Sequence, residues 1–79
     1  MAMIPAGGVS VLIVEGDERE RTSLQGELEA AGYVATTSAT GSDGLRRLRD
    51  VSFDVVITSL ELPGRVSGLR IARAVKWRW

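Results

Sequence analysis

Apolar residues fall into three short runs separated by segments of helical spacing, and that alternation sets the expected architecture. Val9 to Val14 is a β-branched apolar run preceded by Gly7 and Gly8, the pattern of a strand buried on both faces. Asp17, with Glu20 three residues on, fits a helix start, and Leu24, Leu28 and Ala31 recur at helical spacing until Gly32 ends the segment. Gly26 within it costs about 1 kcal/mol relative to alanine. Tyr33 to Ser38 predicts a second, weaker strand. Thr40 and Asp43 have capping-box spacing before a short helix that turns Leu45 and Leu48 inward and Arg46, Arg47 and Arg49 to solvent. Asp54 to Leu60 predicts the third strand, with Val55, Val56 and Ile57 as its buried centre, and Leu62-Pro63-Gly64 predicts a turn. From Ser67 a last helix places Leu69, Ala72, Val75 and Trp79 on one core stripe. Trp77 lies about 200° away, on the side of Arg70 and Arg73.

Three strand-helix pairs with short connections predict a parallel sheet with right-handed crossovers, hence an α/β fold. No repeat or linker divides residues 1–79, which form a single domain with 1–8 as a flexible lead. The balance of ten acids and ten bases and the 44% hydrophobic content fit one small soluble domain. Absence of cysteine and histidine excludes disulfides, thiolate metal sites and every catalytic scheme that needs an imidazole. The segment Met1 to Gly8 has no basic cluster and no long apolar run follows it, so no signal peptide or membrane span is legible and the cytoplasm is the expected location.

Charge is unevenly distributed: residues 1–40 hold six acids and two arginines, net −4, and residues 41–79 hold eight bases and four acids, net +4. Solvated helix faces account for this, and nucleic acid is not the expected partner. The competing reading is a basic last helix in which Arg70, Arg73, Lys76, Trp77 and Arg78 meet nucleic acid or another anionic surface.

In open parallel sheets ligands bind beyond the carboxyl ends of the strands, where strand order reverses. Those ends are Glu15-Gly16-Asp17 and Ser59-Leu60-Glu61, and in the order 2-1-3 they are neighbours. Carboxylates meeting there suit a hard cation such as Mg2+. Helix capping and the macrodipole account for the same acids with no ligand, and a hydroxyl at a strand end commonly satisfies nearby backbone. Gly7 and Gly8 precede the first strand and no G-x-G-x-x-G follows it, which weighs against dinucleotide chemistry.

Val11-Leu12-Ile13-Val14-Glu15, then Glu27 to Tyr33, then Phe53-Asp54-Val55-Val56-Ile57, then Leu62-Pro63-Gly64 resemble the landmarks of a response-regulator receiver domain, in the same order. The resemblance implies a CheY-like, flavodoxin-like three-layer sandwich. Here it is partial and C-terminally truncated, with three parallel strands in order 2-1-3 and three helices, where the full order is 2-1-3-4-5. In that family an acidic pair after the first strand binds Mg2+, and an aspartate ending the third strand is phosphorylated by a partner histidine kinase. Glu15 matches the first acid, Gly16 stands where the second belongs, and Asp17 follows one residue later. Ser59 occupies the phosphoacceptor position, and a hydroxyl, unlike a carboxylate, needs a base to act as nucleophile. The expected function is therefore a receiver-like signalling module of a two-component phosphorelay that is not an enzyme, is not phosphorylated and acts by protein-protein interaction. The alternatives are the basic-helix reading and an inert shortened product. An unpaired third-strand edge further implies self-association or partner docking there. The run Arg65-Val66-Ser67 looks one residue longer than the family's turn and receives no role.

Overall fold

The structure, a computed structural model, describes residues 8–78, and of 76–78 the backbone alone. The flexible lead expected over 1–8 thus lies outside the described residues except for Gly8, as do Trp79 and the side chains of Lys76, Trp77 and Arg78. The chain runs β1 (Ser10–Val14), α1 (Glu18–Ala30), β2 (Val34–Ser38), α2 (Gly41–Asp50), β3 (Val55–Thr58), α3 (Gly68–Arg78). Its sheet is parallel in the order β2-β1-β3, as predicted. Leu12 lies beside Thr36 and Val56, and Val14 beside Ser38 and Thr58.

Local chemistry fixes the helix ends. The Asp17 carboxylate accepts the Glu20 N–H at 2.9 Å, and the Thr40 hydroxyl accepts the Asp43 N–H at 3.1 Å. At the far end of α1, Gly32 takes φ 95°, which lets the Tyr33 N–H turn back to the Leu28 carbonyl at 3.0 Å.

Successive β1 residues serve opposite layers. Leu12 and Val14 join Leu48 of α2, Ile71 of α3, Phe53 and Val66 in the buried cluster, with Leu45, Val56, Leu62 and Val75 packed around it. Val11 and Ile13, also buried, turn to the face covered by α1, which packs on β1 and β2. No residue of α1 is fully buried, and Leu24 and Leu28 are only half-buried. Val66, in the loop before α3, is a member of the buried core and packs against Gly41 at the start of α2.

Several expectations need correction. β2 begins at Val34, with Tyr33 left in the turn, and β3 is shorter than predicted, ending at Thr58. Val55 and Ile57 are not a buried centre, being 40% and 36% exposed, because they point toward the α1 layer and α1 reaches only β1 and β2. The inward stripe of α3 is Gly68, Ile71 and Val75, while Leu69 is 52% exposed and Ala72 is also exposed. Both stripes have helical spacing, and the phase is set by Gly68, whose N–H donates to the Leu60 carbonyl at 2.9 Å. A Cβ there would lie 2.7 Å from the Ser59 carbonyl carbon and 2.8 Å from Leu60 Cα. Arg47 is half-buried rather than free in solvent, with its Nε on Asp43 at 3.1 Å.

Candidate functional site

At the carboxyl ends of β1 and β3 the chain leaves the sheet in two adjacent loops. Ser59 is held there by its own N–H, which donates to the Val14 carbonyl at 3.0 Å, and Glu15 by its N–H to the Ser38 carbonyl at 3.0 Å. Fixed in this way, the two side chains meet: the Ser59 hydroxyl donates to Glu15 Oε2 in a short hydrogen bond. Glu15 Oε1 accepts the Asp17 N–H at 3.0 Å. Arg21, reaching back from α1, donates to the Glu15 carbonyl at 2.9 Å and the Gly16 carbonyl at 3.4 Å.

The hydroxyl of Ser59, and then the Asp17 N–H, hold the Glu15 carboxyl below its ordinary value. Glu15 is therefore ionised near neutrality and a weaker base than a free glutamate. It orients the Ser59 hydroxyl but is poorly suited to deprotonate it. The pair behaves as a clasp between two loops.

The other members of the sequence-predicted set stand apart from this clasp. The Asp17 carboxylate is engaged in capping α1, and Gly16 cannot carry a side chain without meeting Pro63, whose Cδ lies 2.6 Å and Cγ 3.3 Å from the Cβ position. A side chain at position 16 therefore requires the Pro63 ring, or the loop that carries it, to shift. Among the described residues no three acidic side chains gather as metal ligands. Both Glu15 oxygens already accept hydrogen bonds and Asp17 is turned to its helix, so the residues as arranged do not fit Mg2+.

A second polar cluster was not foreseen. Ser38, buried at the end of β2, donates to Asp43 Oδ2 at 2.7 Å, and Arg46 and Arg47 also bond that carboxylate. The Ser38 hydroxyl first, then Arg46, hold Asp43 at about 2. Its capping-box spacing was legible, but the side chain turns to β2 rather than back to the cap. On α3, Arg70 and Arg73 are exposed, and Lys76, Trp77 and Arg78 lie where side chains are not described.

With this geometry in view, the model of the response regulator receiver domain family matches residues 11–79. The transcriptional regulatory protein AfsQ1 of Streptomyces coelicolor is 34% identical over 67 residues, covering 85% of this chain and 29% of that protein. The polar-differentiation response regulator DivK of Brucella ovis is 31% identical over 67 residues, covering 85% of this chain and 54% of DivK. The crystal structure of the Thermotoga maritima response regulator TrrA, in complex with Mg(2+)-BeF, superposes with a TM-score of 0.82 at 30% identity, over 89% of this chain and 60% of that one. The chain therefore spans between about a third and somewhat over half of the length of these relatives.

Proposed function

The chain belongs to the response regulator receiver domain family of two-component systems, and from that premise we propose that it is a receiver module in which the Glu15–Ser59 clasp replaces the phosphorylation site. It signals in the cytoplasm by protein contact, with no phosphotransfer and no enzymatic turnover of its own. A histidine kinase or another signalling protein is the expected class of partner, and contact between copies through the β3 edge belongs to the same mode of action.

One observation carries this reading: the group at the acceptor position is a hydroxyl donating to a glutamate held in its ionised form. A carboxylate acceptor is already an anionic nucleophile near neutrality, whereas Ser59 would have to lose its proton to a weakened base. The absence of a carboxylate at Gly16, where the family's second acid belongs, supports the reading from the metal side.

The test is intact mass after incubation with Mg2+ and a small acyl phosphate, with the Ser59→Asp variant and an ordinary receiver domain alongside. The native chain is expected to gain nothing while the ordinary receiver is labelled. Addition of one phosphoryl group to the native chain overturns the proposal.

A further inference from the structure

The two helical layers carry opposite charge, and the sheet keeps them apart. α1 holds Glu18, Glu20, Glu27 and Glu29 against Arg19 and Arg21, and Arg21 is turned inward onto the Glu15 and Gly16 carbonyls. α3 carries no acid and exposes Arg70 and Arg73, and α2, packed beside it, exposes Arg46 and Arg49. Among the described residues the only ion pairs are those of Asp43 with Arg46 and Arg47, so the α1 glutamates and Arg70 and Arg73 are paired with nothing there. Both sets point away from the sheet: the half-buried side of α1 is Arg21, Leu24, Gln25 and Leu28, and the inward side of α3 is Gly68, Ile71 and Val75. Their exposure therefore does not depend on what pairs with β3.

The positions of these charges also run against the helix dipoles. Glu27 and Glu29 occupy the last turn of α1, which has no basic residue, and Arg70 lies in the first turn of α3, which has no acidic one. Carboxylates are disfavoured at the negative end of a helix and a guanidinium at the positive end, so each placement costs the isolated chain stability. Glu18 and Glu20, in the first turn of α1, are explained by their own helix. Glu27, Glu29 and Arg70 are not, and charges that break a local rule without a gain inside the chain point to a use outside it.

We propose that the arginine face of α3 docks on α1 of a second copy, the two helices antiparallel, so that Arg70 and Arg73 meet Glu27 and Glu29. This rests on the reading of the domain as a contact-making module and names a partner and the surface it uses. The antiparallel arrangement sets the last turn of α1 against the first turn of α3, so each misplaced charge gains an opposite charge and an opposite helix pole. A second copy is favoured because the complement of the arginine face is carried by the chain itself. Ten acids balance ten bases, so no long-range repulsion opposes the approach. Because α1 and α3 cover opposite faces of the sheet, two copies cannot satisfy both faces of each other. The contact is head-to-tail and leaves one acidic and one basic face open, so growth continues past two copies.

Light scattering on the concentrated native chain should give a mass well above 8.5 kDa at low salt and a fall toward it at high salt. Between about 10 mM and about 1 M the screening length shrinks from about 30 to about 3 Å. Two charge-swapped chains identify the surfaces, one with Glu27→Lys and Glu29→Lys, the other with Arg70→Glu and Arg73→Glu. Both swaps agree with the helix dipoles, so each chain should fold with an unchanged or higher melting temperature. Alone at low salt, each should have the mass that the native chain has at high salt. Mixed in equal amounts they should regain the salt-sensitive association, because a lysine face then meets a glutamate face. A native mass indifferent to salt, swapped chains that associate as the native one does, or a mixture that stays dissociated overturns the proposal. Binding of a polyanion such as heparin with no self-association overturns it as well. None of these outcomes touches the phosphorylation reading, which is decided by intact mass; conversely, labelling of Ser59 in a chain that still assembles would remove that reading alone.

Discussion

The Cβ position of Gly16 lies 2.6 Å from Cδ of Pro63, so the loop after β1 and the turn after β3 are fitted to each other through a missing side chain. A proline ring joined to its own backbone nitrogen yields little. Gly16→Asp should therefore cost about 1–3 kcal/mol by overpacking and should not restore binding of Mg2+. Combining it with Pro63→Ala should recover most of that loss. Urea unfolding of the two variants, and melting temperature with and without MgCl2, check both parts; a Mg2+-dependent rise in the Gly16→Asp single variant would show that the obstruction is not what governs the site.

Ser59→Ala removes the donor of a hydrogen bond to an ionised carboxylate and leaves Glu15 with the Asp17 N–H alone on its other oxygen. Such bonds contribute about 1.5–3 kcal/mol when desolvated, and this half-buried one should contribute nearer 1 kcal/mol. Glu15→Gln should cost a similar amount, and the double variant less than the two together, because both report one interaction. Chemical denaturation of the four proteins gives the coupling. Strict additivity would mean that the clasp does not stabilise the fold.

How legible these features were depended on their range along the chain. The caps at Asp17 and Thr40 were readable because donor and acceptor lie three residues apart. The meeting of the Glu15 and Ser59 loops followed from strand order, although the bond itself joins residues 44 positions apart. The approach of Gly16 to Pro63, and of Ser38 to Asp43, depends on loop paths that periodicity does not encode. Strand β3 was recognisable by its apolar run, but the exposure of Val55 and Ile57 depends on how far α1 extends across the sheet. The phase of α3 was hidden for a related reason: a backbone contact at Gly68 chose between two stripes of equal spacing.

Acid should loosen the β2–α2 junction. Asp43 is held at about 2, against an ordinary value of 3.8, by the Ser38 hydroxyl and then by Arg46. A depressed carboxyl value means that the folded state binds its proton less readily than the unfolded chain, so the stabilisation is complete above pH 3.8 and is lost as pH falls from there toward 2. Glu15 acts in the same direction below its ordinary 4.5. Stability measured by urea unfolding should be nearly flat from neutrality to about pH 5 and then fall. Asp43→Asn should be less stable at neutrality and show a shallower acid decline; an unchanged decline would assign acid sensitivity to other carboxylates.

Two glycines in helices should respond in opposite directions to the same substitution. Gly26 sits inside α1 with nothing within 4 Å of its Cβ position, so Gly26→Ala adds a methyl group to open space and removes backbone freedom from the unfolded chain. A gain of about 0.5–1 kcal/mol is expected. Gly68 opens α3 against the main chain of Ser59 and Leu60, atoms that no rotamer change can withdraw. Gly68→Ala must therefore lift α3 or displace the loop that carries Ser59, and a loss of about 2–3 kcal/mol is expected despite alanine's higher helix propensity. Because Ile71 lies one turn along α3 and is fully buried, displacement there also opens the core against Leu12 and Val14. Equilibrium unfolding of both variants tests the contrast, and a stabilising Gly68→Ala would mean that the contact fixing the phase of α3 is looser than the packing described.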